Sequence, residues 1–317
     1  MKNQVFTYAA FGDPLHQLRR EITDLPTLAP SRMRVRMIAV PVNPSDLIPV
    51  TGAYAHRITL PAIVGYEGVG EVIAAPEAYS TLIGKRVLPL RGAGTWQAYV
   101  DCDPELAVPI PEHIGDLVAC RAYINPMAAL LMLDRWSAAG KRVLLSGAGS
   151  MCAELLGRWA SKSGAAKVEG IYRSEARIPS LIAAGIDPVS IHDLDGVIAS
   201  AGNADLTFDA LGGTIGSTVL EHMPNGSSFI GYGLLSGQSI SAFGAGAAYH
   251  RFHLRDSLAA MTVDMWQAQF RRLWPMLNEV PLSPVAIFPS DRWEEALQHS
   301  ASSGGPKVVL SFQLNCD

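Results

Sequence analysis

The feature that most constrains this chain is an alternation of short apolar strands and helices that begins at residue 142. Residues 142–145 (RVLL) predict a continuous apolar strand, which is typical of a parallel sheet buried on both faces. The predicted elements that follow alternate in type, with helices at 153–163 and 178–184 and strands at 167–172, 204–209 and 228–231. This order predicts an α/β fold with a doubly wound parallel sheet, which binds ligands beyond the carboxyl ends of its strands.

The turn after the first of these strands carries glycines in the pattern Gly147-x-Gly149-x-x-Cys152. Two glycines allow a tight turn whose backbone N–H groups approach a pyrophosphate, and a helix starting near Ser150 would add the positive end of its dipole. Cys152 occupies the third position of the usual fingerprint and is small enough for close packing of helix and strand. Taken alone, the turn is also compatible with a purely structural role.

The end of the second strand bears on which dinucleotide would bind. NAD-binding proteins place a carboxylate there for the ribose 2′-OH, whereas this strand ends in Tyr172-Arg173-Ser174. Arg173 stands where a guanidinium fork could grip a 2′-phosphate. A solvated arginine at a strand end is the alternative, but together with the glycine turn Arg173 favours NADP(H).

The N-terminal third is rich in β-formers, proline and glycine, and it predicts an irregular, mostly antiparallel β domain. Strands are predicted at 34–42 (RVRMIAVPV) and at 63–73 (IVGYEGVGEVI), where the glycines indicate bends. A last strand is predicted at 307–313, and we expect this C-terminal tail to rejoin the β domain. The resulting prediction is a β domain of residues 1–120 and 259–317 and a nucleotide-binding domain of residues 121–258.

Composition and charge exclude several classes of function. With a net charge of −4 and a pI of about 6.1, the chain has no basic footprint for nucleic acid or anionic lipid. No apolar stretch approaches the roughly 20 residues of a membrane span, and Gly12-Asp13-Pro14 interrupts the N-terminal segment too early for a signal peptide. The four cysteines contain no CxxC pair, so we expect no disulfide framework and a reducing, cytoplasmic setting.

Short motifs spread over nearly the whole chain carry a family resemblance. In chain order they are Asn43-Pro44-Ser45-Asp46, Gly52-Ala53-Tyr54, Gly65-Tyr66-Glu67-Gly68-Val69-Gly70, Gly94-Thr95-Trp96, Asn125-Pro126 and Asp209-x-x-Gly212-Gly213. Together they resemble the medium-chain dehydrogenases/reductases, and more narrowly the 2-enoyl thioester reductase branch, with quinone oxidoreductases as close relatives. The resemblance implies a GroES-like β-rich catalytic domain and a Rossmann domain that binds NADP(H).

Zinc-dependent members of that superfamily carry cysteine where this chain has Asn43 and histidine where it has Tyr66. The lobe of four closely spaced cysteines is also absent from the sequence. Zinc needs three or four N, S or O ligands within tetrahedral reach, so the sequence predicts no metal site. His250 and His253 are three residues apart but lack an evident third ligand, and we interpret them as polar loop or strand residues.

The resemblance implies that Tyr54 is the catalytic residue; without it, Tyr54 would be interpreted as a surface aromatic of a turn. In this branch a tyrosine there is the proposed donor of the proton that reaches Cα of an enoyl thioester, after hydride from NADPH attacks Cβ. The implied cofactor-binding residues are Asn43, Asn125, Gly149, Ser150, Met151, Cys152, Arg173, Ser174, Tyr232, Gly233, Ser257 and Lys307. The family usually has glycine at the positions of Met151 and Ala153, which predicts an altered pyrophosphate turn.

The leading hypothesis is NADPH-dependent reduction of a C=C bond conjugated to a carbonyl, in a 2-enoyl thioester of coenzyme A or of an acyl carrier protein. Two alternatives stay open: a quinone or enone oxidoreductase that acts on free small molecules, and a non-catalytic NADPH-binding protein. The resemblance also implies a homodimer, formed through an edge strand near residues 229–232 and through residues 252–258.

Overall fold

The computed structural model describes residues 1–241, 246–302 and 305–313. Its strands are Lys2–Tyr8 (β1), Arg19–Asp24 (β2), Met33–Pro41 (β3), Ala62–Ile63 (β4), Val69–Ala74 (β5), Arg86–Leu88 (β6), Tyr99–Cys102 (β7), Val108–Pro109 (β8), Arg142–Leu145 (β9), Lys167–Tyr172 (β10), Asp187–Ser190 (β11), Leu206–Asp209 (β12), Ser228–Gly231 (β13), Ala248–Arg251 (β14), Val285–Pro289 (β15) and Lys307–Ser311 (β16).

The α-helices of the same residues are Pro14–Gln17 (α1), Pro44–Leu47 (α2), Asp116–Ala119 (α3), Ile124–Arg135 (α4), Met151–Lys162 (α5), Ile178–Ala183 (α6), Leu194–Gly202 (α7), Gly213–His222 (α8), Leu254–Ala259 (α9), Val263–Asn278 (α10) and Trp293–Ala301 (α11). Short 3₁₀ helices occupy Ala55–Arg57, Glu77–Leu82, Glu175–Arg177 and Ser290–Arg292. No helix among the described residues combines the length and the apolarity that crossing a bilayer requires.

The chain divides into two compact units. The first unit combines Met1–Ile124 with Met261–Asp317, and the second unit is Asn125–Ala260. The domain boundaries predicted from the sequence, after residues 120 and 258, fall within a few residues of the ends of these units.

The second unit is built on a six-stranded sheet in the order β11-β10-β9-β12-β13-β14, and its paired strands are parallel. Numbered from β9, this is the 3-2-1-4-5-6 order of a Rossmann fold, so the predicted doubly wound α/β fold is confirmed. Residues 143–145 of β9 and all four residues of β12 are buried, as expected for the central strands of a sheet covered on both faces. The strand order reverses between β9 and β12, which is where such sheets bind ligands.

The first unit contains a three-stranded sheet, β2-β1-β4, and a seven-stranded sheet organised around β3. β3 pairs with β5 along one edge and with β7 and β16 along the other, all antiparallel, so the C-terminal tail supplies a strand to the N-terminal sheet. Large side chains buried between these elements include Phe6, Trp96 and Met33. This arrangement agrees with the predicted GroES-like sheet domain.

The strand predicted at 63–73 is wrong as a single element, because the chain forms β4 and β5 with a bend between them. Gly65 in this bend has a φ of +99°, which favours glycine. A Cβ on Gly65 would also lie 2.2 Å from Cδ1 of the buried Trp96. The bend therefore lets the segment before β5 pass closely over Trp96.

Candidate functional site

The glycine-rich turn of the second unit joins the carboxyl end of β9 to the start of α5. Gly147 has a φ of +59°, and the Ser150 side chain caps α5 by accepting a hydrogen bond from the Ala153 N–H at 3.4 Å. A Cβ on Gly149 would lie 3.0 Å from Cγ of Arg177. The turn thus presents backbone N–H groups and the positive end of a twelve-residue helix at the ligand-binding edge of the sheet.

Arg173 and Ser174 directly follow β10, the strand that neighbours β9. Arg173 is exposed and Ser174 is half-buried. The next 3₁₀ helix brings Arg177 over Gly149 of the turn. Arg177 was not predicted as a site residue. It could have been found from its position, because it is a second arginine just before the helix that follows the second strand.

Tyr232 and Cys152 come together beneath the same turn. The Tyr232 hydroxyl is buried beside Ser150 and Cys152, but it makes no well-formed hydrogen bond. Burial raises the pKa of Tyr232 well above its usual value and raises the pKa of the Cys152 thiol to about 12. Both groups are therefore neutral at physiological pH. The adjacent Gly233 has no room for a side chain, since a Cβ would lie 2.7 Å from the Ala210 carbonyl oxygen.

Asn125 and Met151 are also brought together. The Asn125 side-chain amide donates from Nδ2 to Sδ of Met151 at 4.0 Å, a weak contact because a thioether is a poor acceptor. The contact leaves Oδ1 of Asn125 as the acceptor for another group. Ser257 stands apart: it is half-buried in α9, and no hydrogen bond of the described residues joins it to the turn.

Ser146 and Asp209 connect the carboxyl ends of β9 and β12. The Ser146 hydroxyl donates to Oδ1 of Asp209 and accepts from the Ala210 N–H at 2.9 Å. The other carboxylate oxygen of Asp209 accepts from the Gly212 N–H at 2.8 Å, and burial raises the pKa of this carboxyl. The pair holds the point where the strand order reverses, a role that was not predicted from the sequence.

Tyr54 belongs to the first unit and immediately precedes the 3₁₀ helix Ala55–Arg57. Its side chain is half-buried, and Cζ of Arg57 lies 5.8 Å from the ring centroid. The backbone before it packs on Phe11, since a Cβ on Gly52 would lie 3.2 Å from Cβ of Phe11. The phenol is therefore held on a packed turn and keeps part of its surface open.

Asn43 is part of a buried polar network, and its partner is Glu67. Asn43 donates from Nδ2 to Oε1 of Glu67 at 2.8 Å, and the two residues are 2% and 1% exposed. The other carboxylate oxygen of Glu67 accepts the backbone N–H groups of Tyr123 at 3.0 Å and Ile124 at 2.8 Å. Glu67 was not predicted as a site residue because its partners are far away along the chain.

Lys307 and Asp46 complete this network. The Lys307 ammonium donates to the Val42 carbonyl oxygen at 2.6 Å and to Oδ1 of Asn43 at 2.5 Å. The Asp46 carboxylate accepts the N–H of Asn43 at 2.9 Å and that of Tyr66 at 3.0 Å. Both predicted cofactor residues of the first unit, Asn43 and Lys307, are thus engaged with each other.

The charges of the network are strongly affected by burial. Burial raises the pKa of Asp46 to about 7, with a smaller contribution from the nearby Glu67 carboxylate. Burial also raises the pKa of Glu67 and lowers that of Lys307. Two carboxyl groups therefore lie near one ammonium group, and burial disfavours the charged form of all three.

Within residues 1–241, 246–302 and 305–313, no group of three or more His, Cys, Asp or Glu side chains has the arrangement of a metal site. His250 lies in β14, where its ring packs against Trp136 with centroids 5.5 Å apart.

Comparison with known proteins places residues 29–112 in the family described as "Alcohol dehydrogenase GroES-like domain". The chain is 29% identical to the mitochondrial enoyl-[acyl-carrier-protein] reductase of Arabidopsis thaliana over 258 residues, which are 75% of this chain and 67% of the relative. A crystal structure from Bacillus thuringiensis, named "putative NADPH:quinone reductase", is 32% identical with a TM-score of 0.91 and covers 98% of this chain and 99% of its own.

The fold is also that of a complex named Etr1p/NADP/crotonyl-CoA. That structure matches with a TM-score of 0.82 over 98% of this chain and 100% of its own, at 18% identity. Like the Bacillus structure, it matches the fold of both units of the chain.

Proposed function

Because the chain belongs to the medium-chain dehydrogenase/reductase superfamily, we propose that it reduces a C=C bond conjugated to the carbonyl of a 2-enoyl thioester. It is an NADPH-dependent oxidoreductase. The enoyl substrate class is supported by the similarity to the Arabidopsis enoyl-[acyl-carrier-protein] reductase. The observation that carries the choice of cofactor is the position of Arg173, at the end of the strand beside the glycine turn.

The residues of the second unit fit NADPH. The glycine turn and the start of α5 offer N–H groups for the pyrophosphate, where Gly149, Ser150, Met151 and Cys152 stand. Arg173 and Ser174 would bind the 2′-phosphate, since a guanidinium suits phosphate geometry. The further binding residues of this proposal are Asn125, Tyr232, Gly233 and Ser257. When bound, NADPH supplies the hydride.

Tyr54 would supply the proton. Hydride addition at Cβ of the enoyl thioester builds negative charge on the thioester oxygen, and the resulting enolate needs a proton at Cα. The phenol O–H group can deliver this proton directly or through one water. Its half-buried position on a packed turn supports this role, because the ring is held while part of it stays accessible.

A second candidate function is reduction of free quinones or enones. It is favoured by the similarity, over nearly the whole length, to the Bacillus protein whose name describes a quinone reductase. A quinone accepts hydride on oxygen or carbon and takes its proton from solvent, so this function does not require Tyr54.

We propose that coenzyme A or an acyl carrier protein carries the substrate.

We propose a homodimer as the assembly. The edge of the six-stranded sheet is β14, while β13, where the sequence placed the edge, lies one strand further in. Within the described residues β14 pairs only with β13, so one side of its backbone has no strand partner there, and Tyr249 on it is half exposed. Pairing with a second copy along β14 would satisfy these groups.

The test follows NADPH oxidation with crotonyl-CoA and with a simple quinone, in the wild type and in Tyr54→Phe. We expect thioester turnover to fall by about 100-fold or more in the variant, the usual scale for a lost general acid. The Tyr99→Phe variant, also in the first unit, is the matched control and should keep full turnover. The second function would be established instead if the wild type showed no thioester turnover and if quinone turnover were the same in the wild type and in Tyr54→Phe.

A further inference from the structure

We propose that Asn43, Glu67 and Lys307 form a positioning network, which fixes the backbone just before Asn125 and thereby sets where the Asn125 side chain meets the nicotinamide ribose. The inference rests on the proposed function, because it assigns Asn125 a contact with NADPH. It gives two predicted cofactor-binding residues, Asn43 and Lys307, a different role: they act on the cofactor through Glu67.

The link to Asn125 is made by the backbone. One carboxylate oxygen of Glu67 accepts two consecutive N–H groups, from Tyr123 and Ile124, and Asn125 is the next residue. Ile124 begins α4, whose first N–H groups have no partner within the helix. A carboxylate that binds these groups holds the helix start through two hydrogen bonds and through its charge. A displacement of Glu67 would therefore move the residue that carries the Asn125 amide.

The network engages both polar atoms of the Asn43 side chain. Its Nδ2 donates to Glu67 and its Oδ1 accepts from Lys307, while the residue is 2% exposed. Lys307 is likewise committed to Asn43 and to the Val42 carbonyl oxygen. The chain of donors therefore runs from Lys307 through Asn43 to Glu67, and each member fixes the orientation of the next.

A helix start that served stability alone could be capped by a nearby Ser, Thr or Asp at no cost in buried charge. Here the cap is a carboxylate 57 residues from Ile124, kept in the interior together with an ammonium group. Buried charges of this kind are poor sources of stability, which favours a positioning role for this network. Asn125 benefits directly, because its Nδ2 is directed at Met151 and its Oδ1 stays available to accept a ribose hydroxyl.

The decisive variant is Glu67→Gln. Its amide keeps an oxygen for the Tyr123 and Ile124 N–H groups, but it sets its own NH2 group against the Asn43 NH2 group, and two donors repel. We expect NADPH to bind about tenfold more weakly, the scale of one hydrogen bond to the cofactor. The measurement is a fluorescence titration with NADPH, which needs no turnover.

The swapped pair Asn43→Asp/Glu67→Gln provides the rescue. The carboxylate introduced at position 43 accepts from Lys307 and from the amide introduced at position 67 in place of the original bonds, so the net charge and the number of hydrogen bonds are both restored. We expect most of the lost NADPH affinity to return. The matched control is Asp101→Asn, which breaks the part-buried pair with Arg34 (2.7 Å) elsewhere in the first unit and should leave NADPH affinity unchanged.

Asn125→Ala, alone and combined with Glu67→Gln, separates positioning from general structural damage. If Glu67 acts through Asn125, its substitution should have little further effect once the Asn125 amide is gone, whereas independent effects add. Three results would each overturn the inference. The two losses of NADPH affinity could be additive, the Glu67→Gln protein could bind NADPH like the wild type, or the swapped pair could fold without recovering NADPH affinity. If Glu67→Gln does not fold, the swapped pair decides. A wild type that does not bind NADPH refutes the proposed function itself.

Discussion

The two helices whose first turns carry candidate binding residues, α4 and α5, are held at their starts in opposite ways. α5 in the second unit is capped by Ser150, whose partner Ala153 is three residues away. The start of α4 is held by Glu67, at a separation of 57 residues from Ile124. The first cap is local and uncharged, whereas the second is buried, charged and assembled from distant parts of the chain. The comparison shows that the free N–H groups of two helix starts can be hydrogen-bonded at very different energetic cost. It also shows that a local cap can be predicted from the sequence, whereas a cap from a distant residue cannot.

The same contrast extends to the surroundings of the two helix starts. In the proposed function the turn of the second unit would act mainly through backbone groups, with Arg173 after β10 and Arg177 over Gly149. The first unit instead encloses the carboxyl groups of Asp46 and Glu67 with one ammonium group, that of Lys307. We therefore expect the first unit to carry the larger dependence of stability on pH, and the second unit to carry the direct dependence on the cofactor phosphate.

The largest expected effect is the pH dependence that Asp46 confers on stability. Its pKa is raised from 3.8 to about 7, chiefly by burial, so the folded state favours the protonated form. This contribution is fully present below the unfolded pKa and is lost as the pH rises through about 7. At about 1.4 kcal/mol per pKa unit, the change is at most on the order of 4 kcal/mol.

Asp46→Asn removes this titration and leaves Glu67 and Lys307 in place. Urea unfolding at about pH 5 and about pH 8 measures it. The free energy of unfolding of the wild type, relative to that of Asp46→Asn, should decrease when the pH is raised from about 5 to about 8. A difference that stays constant would show that the buried charges of the first unit do not set its pH dependence.

The next effect concerns the phosphate side of the comparison. Arg173→Ala should weaken NADPH binding by about 10- to 100-fold, the scale of a lost hydrogen bond to a charged group, and should leave NADH binding unchanged. Equilibrium titration with both dinucleotides measures this difference. Arg142→Ala is the control, because Arg142 lies at the amino end of β9, away from the ligand-binding edge. Equal losses for NADPH and NADH would refute the assignment of Arg173 to the 2′-phosphate.

The smallest expected effect is that of the local cap. Ser150→Ala should lower the free energy of unfolding by about 1 kcal/mol, as for other N-cap serines. Chemical denaturation measures it, and Ser163→Ala at the other end of α5 serves as the control. A loss of several kcal/mol would contradict the contrast between the two helix starts, since the local cap would then contribute as much to the free energy of unfolding as the buried network.

Much of the second unit was predictable because its signals are local. The alternation of apolar strands and helices follows from backbone periodicity, and the strands at 142–145, 167–172 and 228–231 agree with the structure. Ser150 and the glycines of the turn lie within a few residues of the atoms they serve. In the first unit the strand at 34–42 was found to within one residue, but the strand at 63–73 was not, because the bend at Gly65 depends on the distant Trp96.

The sequence by itself determined the α/β fold class, the glycine turn and the Arg173 that follows the second strand, because each depends on residues close together in the chain. Only the tertiary structure decided that Glu67 holds the start of α4, that Asn43 and Lys307 face each other, and that Arg177 covers Gly149. The physical reason is that a buried polar group must find partners wherever packing brings them, and packing joins residues whose separation leaves no local pattern.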